Sequence, residues 1–210
     1  MNDIYDLTAI LPMDRFPWDD VIQGISKSKK KASIFYGVSR NKFNLTPEES
    51  TWYWALSLNE AVHGLDILLT VPRNPSLWSE AWYKLGQGDF WQYNENMQYF
   101  AGLQAWLKSA NVFKETGRQI VFIQLQHSAT PPHVDQDLQR APAEYQQPAE
   151  FIWITPSNGK QLMVNGNPAP HVCWFNSYVY HGTQPAAGIR WSLRIDGRFT
   201  EEFKDKLNTL

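Results

Sequence analysis

Pro132-His133-Val134-Asp135 sets an imidazole and a carboxylate two residues apart, shortly after the apolar run Ile120 to Gln126. On extended backbone, side chains two residues apart share a face, so this pair can hold one metal ion. A second histidine, His181, closes a later strand-like run, and Arg190-Trp191-Ser192 begins nine residues beyond it. Two imidazoles and one carboxylate are a facial ligand set for ferrous iron, one that leaves the opposite coordination positions open. The plainer reading makes His133 a loop histidine, Asp135 a turn former after Pro131-Pro132 and His181 a strand-end hydrogen bonder. A lone His-x-Asp would not displace it, but His181 and Arg190 at these spacings, in extended context, favour the metal site.

The elements that must position these residues divide into a helix-rich first half and a strand-rich second half. Ser33 to Val38 reads as a short strand after the basic run Lys27 to Lys31, which is itself a solvated loop. Thr46-Pro47-Glu48-Glu49 combines an N-cap, a proline at the first helical position and a capping-box glutamate, and predicts a buried helix to about Val62. Ser76 caps a short helix through Trp78, Trp82 and Leu85. From Asp89 to Ala110, Phe90, Tyr93, Met97, Phe100, Leu103 and Leu107 recur at three and four, an amphipathic helix whose stripe is core packing.

From Gly117 the period changes. Ile120–Gln126, Phe151–Thr155, Gln161–Val164, Val172–Tyr180 and Ile189–Ile195 are short apolar runs, with hairpin signals at Ser157-Asn158-Gly159-Lys160 and Asn165-Gly166-Asn167-Pro168. The expectation is an α+β fold in one domain of 210 residues: a helix-rich part, residues 1–116, packs on an antiparallel sandwich or barrel formed by residues 117–199. Gln136 to Pro148, directly after the metal pair, reads as a loop over the site.

Composition narrows the function classes. A formal charge of −2 and a pI near 6.2 supply no field for nucleic acid or anionic membrane. No apolar run approaches the roughly 20 residues of a membrane span. One cysteine, Cys173, suits a reducing cytoplasm and cannot form a structural zinc site of paired cysteines. The start, Met1 to Asp6, lacks the features of an export signal, so a cytoplasmic location is expected.

Taken together, His133-x-Asp135, His181 and Arg190-x-Ser192 resemble the Fe(II)- and 2-oxoglutarate-dependent oxygenases built on a double-stranded β-helix, the jelly-roll or cupin-like core. The resemblance covers Gly117 to about Gly197. Phe175 to His181 with the Arg190 strand is more loosely similar to the branch of aspartyl/asparaginyl and free-amino-acid hydroxylases. It implies that His133, Asp135 and His181 bind Fe(II), that Arg190 pairs with the distal carboxylate of 2-oxoglutarate as cosubstrate, and that Ser192 donates a hydrogen bond to it, with Arg194 in reserve. A planar guanidinium suits the task because it grips a carboxylate through two parallel bonds.

The resemblance further implies a dioxygenase that consumes O2, is stimulated by ascorbate and hydroxylates a small molecule such as an amino acid or natural product. Asp135 favours oxygen transfer, since related halogenases carry Ala or Gly there to admit halide. The alternatives are a protein side-chain hydroxylase and a non-catalytic β-sandwich that binds a ligand. Demethylation of nucleic acid is disfavoured because no basic-aromatic stripe is present. His127 and His171 read as structural histidines. Gln124 and Gln126 share a strand face open to substrate or solvent, and Arg140 lies in the loop after the metal pair.

Overall fold

The computed structural model describes residues 2–34, 62–81, 83–135 and 149–210. The helix expected over Thr46 to Val62 falls outside them except at its last residue, and so do Phe35 to Val38, Arg140 and the loop Gln136 to Pro148.

The described elements are mixed helix and antiparallel sheet. A seven-stranded sheet joins β1 (Ile4–Asp6), β11 (Val172–Phe175), β8 (Phe151–Ile154), β13 (Arg190–Phe199), β6 (Phe113–Gln124), β3 (Val62–Leu68) and β2 (Lys31–Ile34), in that spatial order. A four-stranded sheet joins β10 (Asn167–Pro168), β9 (Leu162–Val164), β12 (His181–Thr183) and β7 (Thr130–His133). A separate ribbon pairs β4 (Thr70–Pro72) with β5 (Trp91–Tyr93). Strands in the second half thus alternate between the two larger sheets.

Why the large sheet carries a site on one face follows from β13, the strand between β8 and β6. Its side chains alternate. Leu193 and Ile195 join the apolar core, and Trp191 meets Trp18 of helix α1 (Trp18–Lys27) at 6.1 Å between rings. Ser192, Arg194 and Asp196 point the other way, toward the four-stranded sheet, where Arg194 meets Asp135 just beyond β7. β8 and β11 are buried along their whole length, as strands covered on both faces must be. Leu162 and Val164 of β9 belong to the same core as Phe151, Leu193, Val21 of α1, Leu103 and Trp106 of α2 (Ala101–Ala110) and Phe203 of α3 (Glu201–Leu207).

Three local expectations change. The stretch 89–110 is not one helix: Trp91–Tyr93 pairs with Thr70–Pro72, a 3-10 turn follows over Glu95–Tyr99, and α2 begins only at Ala101. Asn94 breaks the run, because its side chain accepts from the Asn96 amide and starts a new turn. Asp20 of α1 then accepts from the Leu103 amide at 3.1 Å, so α1 supplies a cap that α2 lacks in its own sequence. At the short helix, Asn74 is the cap, accepting from both the Ser76 amide and hydroxyl. Finally, the first half, expected to be helix-rich with one short strand, contributes three strands, β1, β2 and β3, to the large sheet.

Both turn signals form turns, with different outcomes. Asn165 and Gly166 take φ of 49° and 77° and close the β9–β10 hairpin, as a two-residue turn of this hand requires. Ser157 to Lys160 instead links β8 of the large sheet to β9 of the small one.

Candidate metal centre

Strand pairing places the two histidines together. β7 ends at His133 and β12 begins at His181, and the two residues are direct partners across the antiparallel pair. Their ring centroids lie 4.4 Å apart. Asp135 follows β7, and its amide donates to Ser177 O at 3.1 Å, which fixes the exit from the strand. The His181 ring packs on Phe175 at 5.0 Å, with Nδ1 2.9 Å from Val179 O. Assigning that nitrogen as the donor fixes the tautomer and leaves Nε2 free to ligate.

His133, Asp135 and His181 each offer one ligand atom, all within 4.8 Å of one another. Asp135 Oδ1 lies 3.8 Å from His133 Nε2 and 3.6 Å from His181 Nε2, whereas Oδ2 lies 3.8 Å from Arg194 Nη1. The carboxylate is therefore divided between the imidazoles and the guanidinium. Burial opposes its charge, but the neighbouring His181, Arg194 and His133 side chains hold its pKa down at about 2. Asp135 is an anion at neutral pH. Two imidazoles and one carboxylate form an N,N,O donor set suited to a divalent transition metal with open positions.

Behind the centre runs a chain of buried charges. Arg194 Nε donates to Asp196 Oδ1 at 2.9 Å, and Nη2 lies 2.9 Å from the same oxygen. Asp196 Oδ2 accepts from Arg118 Nε at 2.9 Å. The Arg194 guanidinium also lies over the Phe151 ring, 3.9 Å from its centroid. Burial lowers the pKa of Arg194, and Asp196 is the chief group opposing that fall.

The other expected residues separate. Arg190 is half-exposed at the start of β13 and donates to Ile189 O at 3.2 Å. Ser192 is fully buried, and among the described residues its Oγ has no hydrogen-bond partner. Trp153 Nε1 is likewise buried without one. Trp153 is the cross-strand partner of Arg194, and Phe122 that of Ser192, so all four share one face of the sheet.

Sequence reading missed Lys160. The turn before β9 buries it, with Nζ 5.5 Å from the Phe122 ring centroid and 6.0 Å from that of Trp153. Burial pushes its pKa down to about 8, against the upward pull of Asp66. Gly159 makes the placement possible: a Cβ there would lie 1.8 Å from Thr155 Oγ1, the atom that accepts the Lys160 amide. The sequence signal was faint, a lysine between a turn glycine and an apolar strand.

Gln124 is a bridge and not part of an open face, since its Nε2 donates to Ser128 O and Gln184 O. Gln126, His127 and His171 are exposed, and Gln126 Nε2 lies 3.0 Å from His127 Nε2.

No family model matches this chain, and no curated protein does. Among solved structures, one similar chain is an oxidoreductase of the 2OG-Fe(II) oxygenase family from Burkholderia pseudomallei, at 12% identity and TM-score 0.46. The match covers 92% of this chain and 82% of that one. Another is a prolyl-4-hydroxylase from Pseudomonas putida, at 15% identity and TM-score 0.41, covering 95% and 94%. With TM-scores below 0.5, neither likeness fixes the fold or the activity of this chain. No helix among the described residues is long and apolar enough to cross a membrane.

Proposed function

We propose that this protein is an Fe(II)- and 2-oxoglutarate-dependent dioxygenase that hydroxylates a small molecule on a double-stranded β-helix core. The observation that carries this reading is the convergence of His133, Asp135 and His181, with Oδ1 of Asp135 facing the Nε2 atoms of both histidines. Fe(II), when bound, supplies the redox chemistry by which O2, 2-oxoglutarate and a C–H bond become succinate, CO2 and an alcohol, with one oxygen atom in the succinate and one in the alcohol. His133, Asp135 and His181 would hold it.

The chain's other residues serve the cosubstrate and the charge. Lys160, Ser192 and Trp153 line one buried face beside Arg194 and offer an ammonium, a hydroxyl and an indole N–H. These donors suit the distal carboxylate of the 2-oxo acid. On this reading Lys160 takes the role expected of Arg190, whose guanidinium donates to Ile189 O at its own strand end, and Ser192 is the hydroxyl donor beside it. Asp135, held ionised, brings a negative charge to the metal without having to release a proton.

The test is aerobic incubation with Fe(II), ascorbate and 2-oxoglutarate, with a broad amino-acid panel. Succinate should form in the wild type and fall to background in His133→Ala and Asp135→Ala. Equal succinate from all three proteins would refute the reading.

A further inference from the structure

We infer that Arg194 is a positioning residue that keeps Asp135 a one-oxygen ligand; this rests on the metal reading above. The carboxylate is already partitioned in the structure, with Oδ1 toward His133 and His181 and Oδ2 toward Arg194 Nη1. A carboxylate with both oxygens free can chelate and occupy two positions on a metal. Three single-atom ligands leave three positions open, and a chelating Asp135 would leave two. An incoming bidentate 2-oxo acid together with O2 needs all three.

Arg194 can hold this division because it is itself held. Its Nε donates to Asp196, with Nη2 at ion-pair distance from the same oxygen but without a hydrogen bond of its own, and Asp196 is tied to Arg118 on its far side. Phe151 covers the plane of the guanidinium. The opposite edge is then left to face Asp135. A planar fork can serve two carboxylates from two edges at once, whereas a lysine ammonium at the same place offers a single point of contact. Arg194 thus acts through Asp135 and does not grip the cosubstrate.

The experiment loads the full-length protein with Mn(II), a redox-inert probe, and measures water-proton relaxation per bound ion, with occupancy fixed by equilibrium dialysis. Wild type should show three exchangeable waters. In Arg194→Met the relaxation per ion should fall by about one third, as one water is displaced. Arg194→Lys, which keeps the charge and balances Asp196 should the methionine variant fail to fold, should fall equally.

Unchanged relaxation in both Arg194 variants would overturn the inference and leave the metal site standing. Mn(II) binding that survives intact in His133→Ala would overturn the metal reading, and the positioning role with it.

Discussion

Replacing Lys160 by methionine should strengthen the unliganded protein and weaken it as a cosubstrate binder. Methionine keeps the apolar stem against Phe122 and Trp153 but removes the ammonium. The lysine pKa falls from 10.5 to about 8 in the folded protein, chiefly through burial. That fall corresponds to about 3 kcal/mol of destabilisation by the buried charge. Below pH 8 the lysine is charged in both folded and unfolded chains, and the whole penalty is present. Between pH 8 and 10.5 the unfolded chain keeps a proton that the folded one has released, so wild-type stability rises with pH. The methionine variant should therefore be more stable at pH 7 by up to about 3 kcal/mol, with an advantage that shrinks toward pH 10, measured by urea unfolding. Loss of one charge-assisted contact costs about 1.5–3 kcal/mol, so 2-oxoglutarate should bind roughly 10–150-fold more weakly. In the wild type, binding should itself weaken by roughly 7–25-fold from pH 7 to 9.5 as Lys160 loses its proton. A variant less stable at pH 7, with a 2-oxoglutarate dissociation constant within twofold of wild type, would refute the assignment.

Ser192→Ala should raise the 2-oxoglutarate dissociation constant by about 2–12-fold, the worth of one neutral hydrogen bond, and leave Mn(II) affinity unchanged. Arg190→Ala should leave it within about twofold; a loss exceeding that of Lys160→Met returns the carboxylate to Arg190. Gly166→Val should lower thermal stability by about 1–2 kcal/mol. Nothing lies within 4 Å of a Cβ at Gly166 and its φ is +77°, so the cost is backbone strain alone, and an unchanged melting temperature would contradict the turn geometry.

The sequence was most legible where chemistry and strand period coincide. His133, Asp135 and His181 could be chosen from residue type and spacing because a metal admits few ligand sets, and the pairing of β7 with β12 brings them together. Ser192, Arg194 and Asp196 could be assigned to one face by counting in twos, but which arginine faces the centre depends on the partner strand, and no spacing reveals that. Lys160 was hidden for the same reason: its burial comes from a turn joining two sheets, and a local pattern of Ser, Asn and Gly reads equally well as an exposed hairpin. The stretch 89–110 misled because apolar residues at three and four fit a strand followed by a 3-10 turn as well as a helix. Asn94 decides between them through a bond to its own backbone.

Charge balance around the centre carries one further consequence. Arg118, Arg194 and Lys160 are buried, as is Asp196, and Asp135 and Asp66 are half-buried beside them. Among the described residues, these three cations stand against these three carboxylates, so their charges balance. A divalent metal alone adds two positive charges to a poorly solvated place, and a dicarboxylate alone adds two negative ones. Each is opposed by the same low local dielectric, and the two together restore neutrality. Metal and dianion should therefore bind cooperatively even without direct chelation. Glutarate tests this, because it keeps both carboxylates but lacks the 2-oxo group. Saturating Mn(II) should tighten glutarate binding by about 5-fold or more, and glutarate should tighten Mn(II) by the same factor. In Lys160→Met the unliganded balance shifts by one negative charge, so Mn(II) alone should bind more tightly while glutarate alone binds more weakly. Glutarate affinity that ignores Mn(II) in the wild type would show that these charges are screened, and that neutrality plays no part in loading the centre.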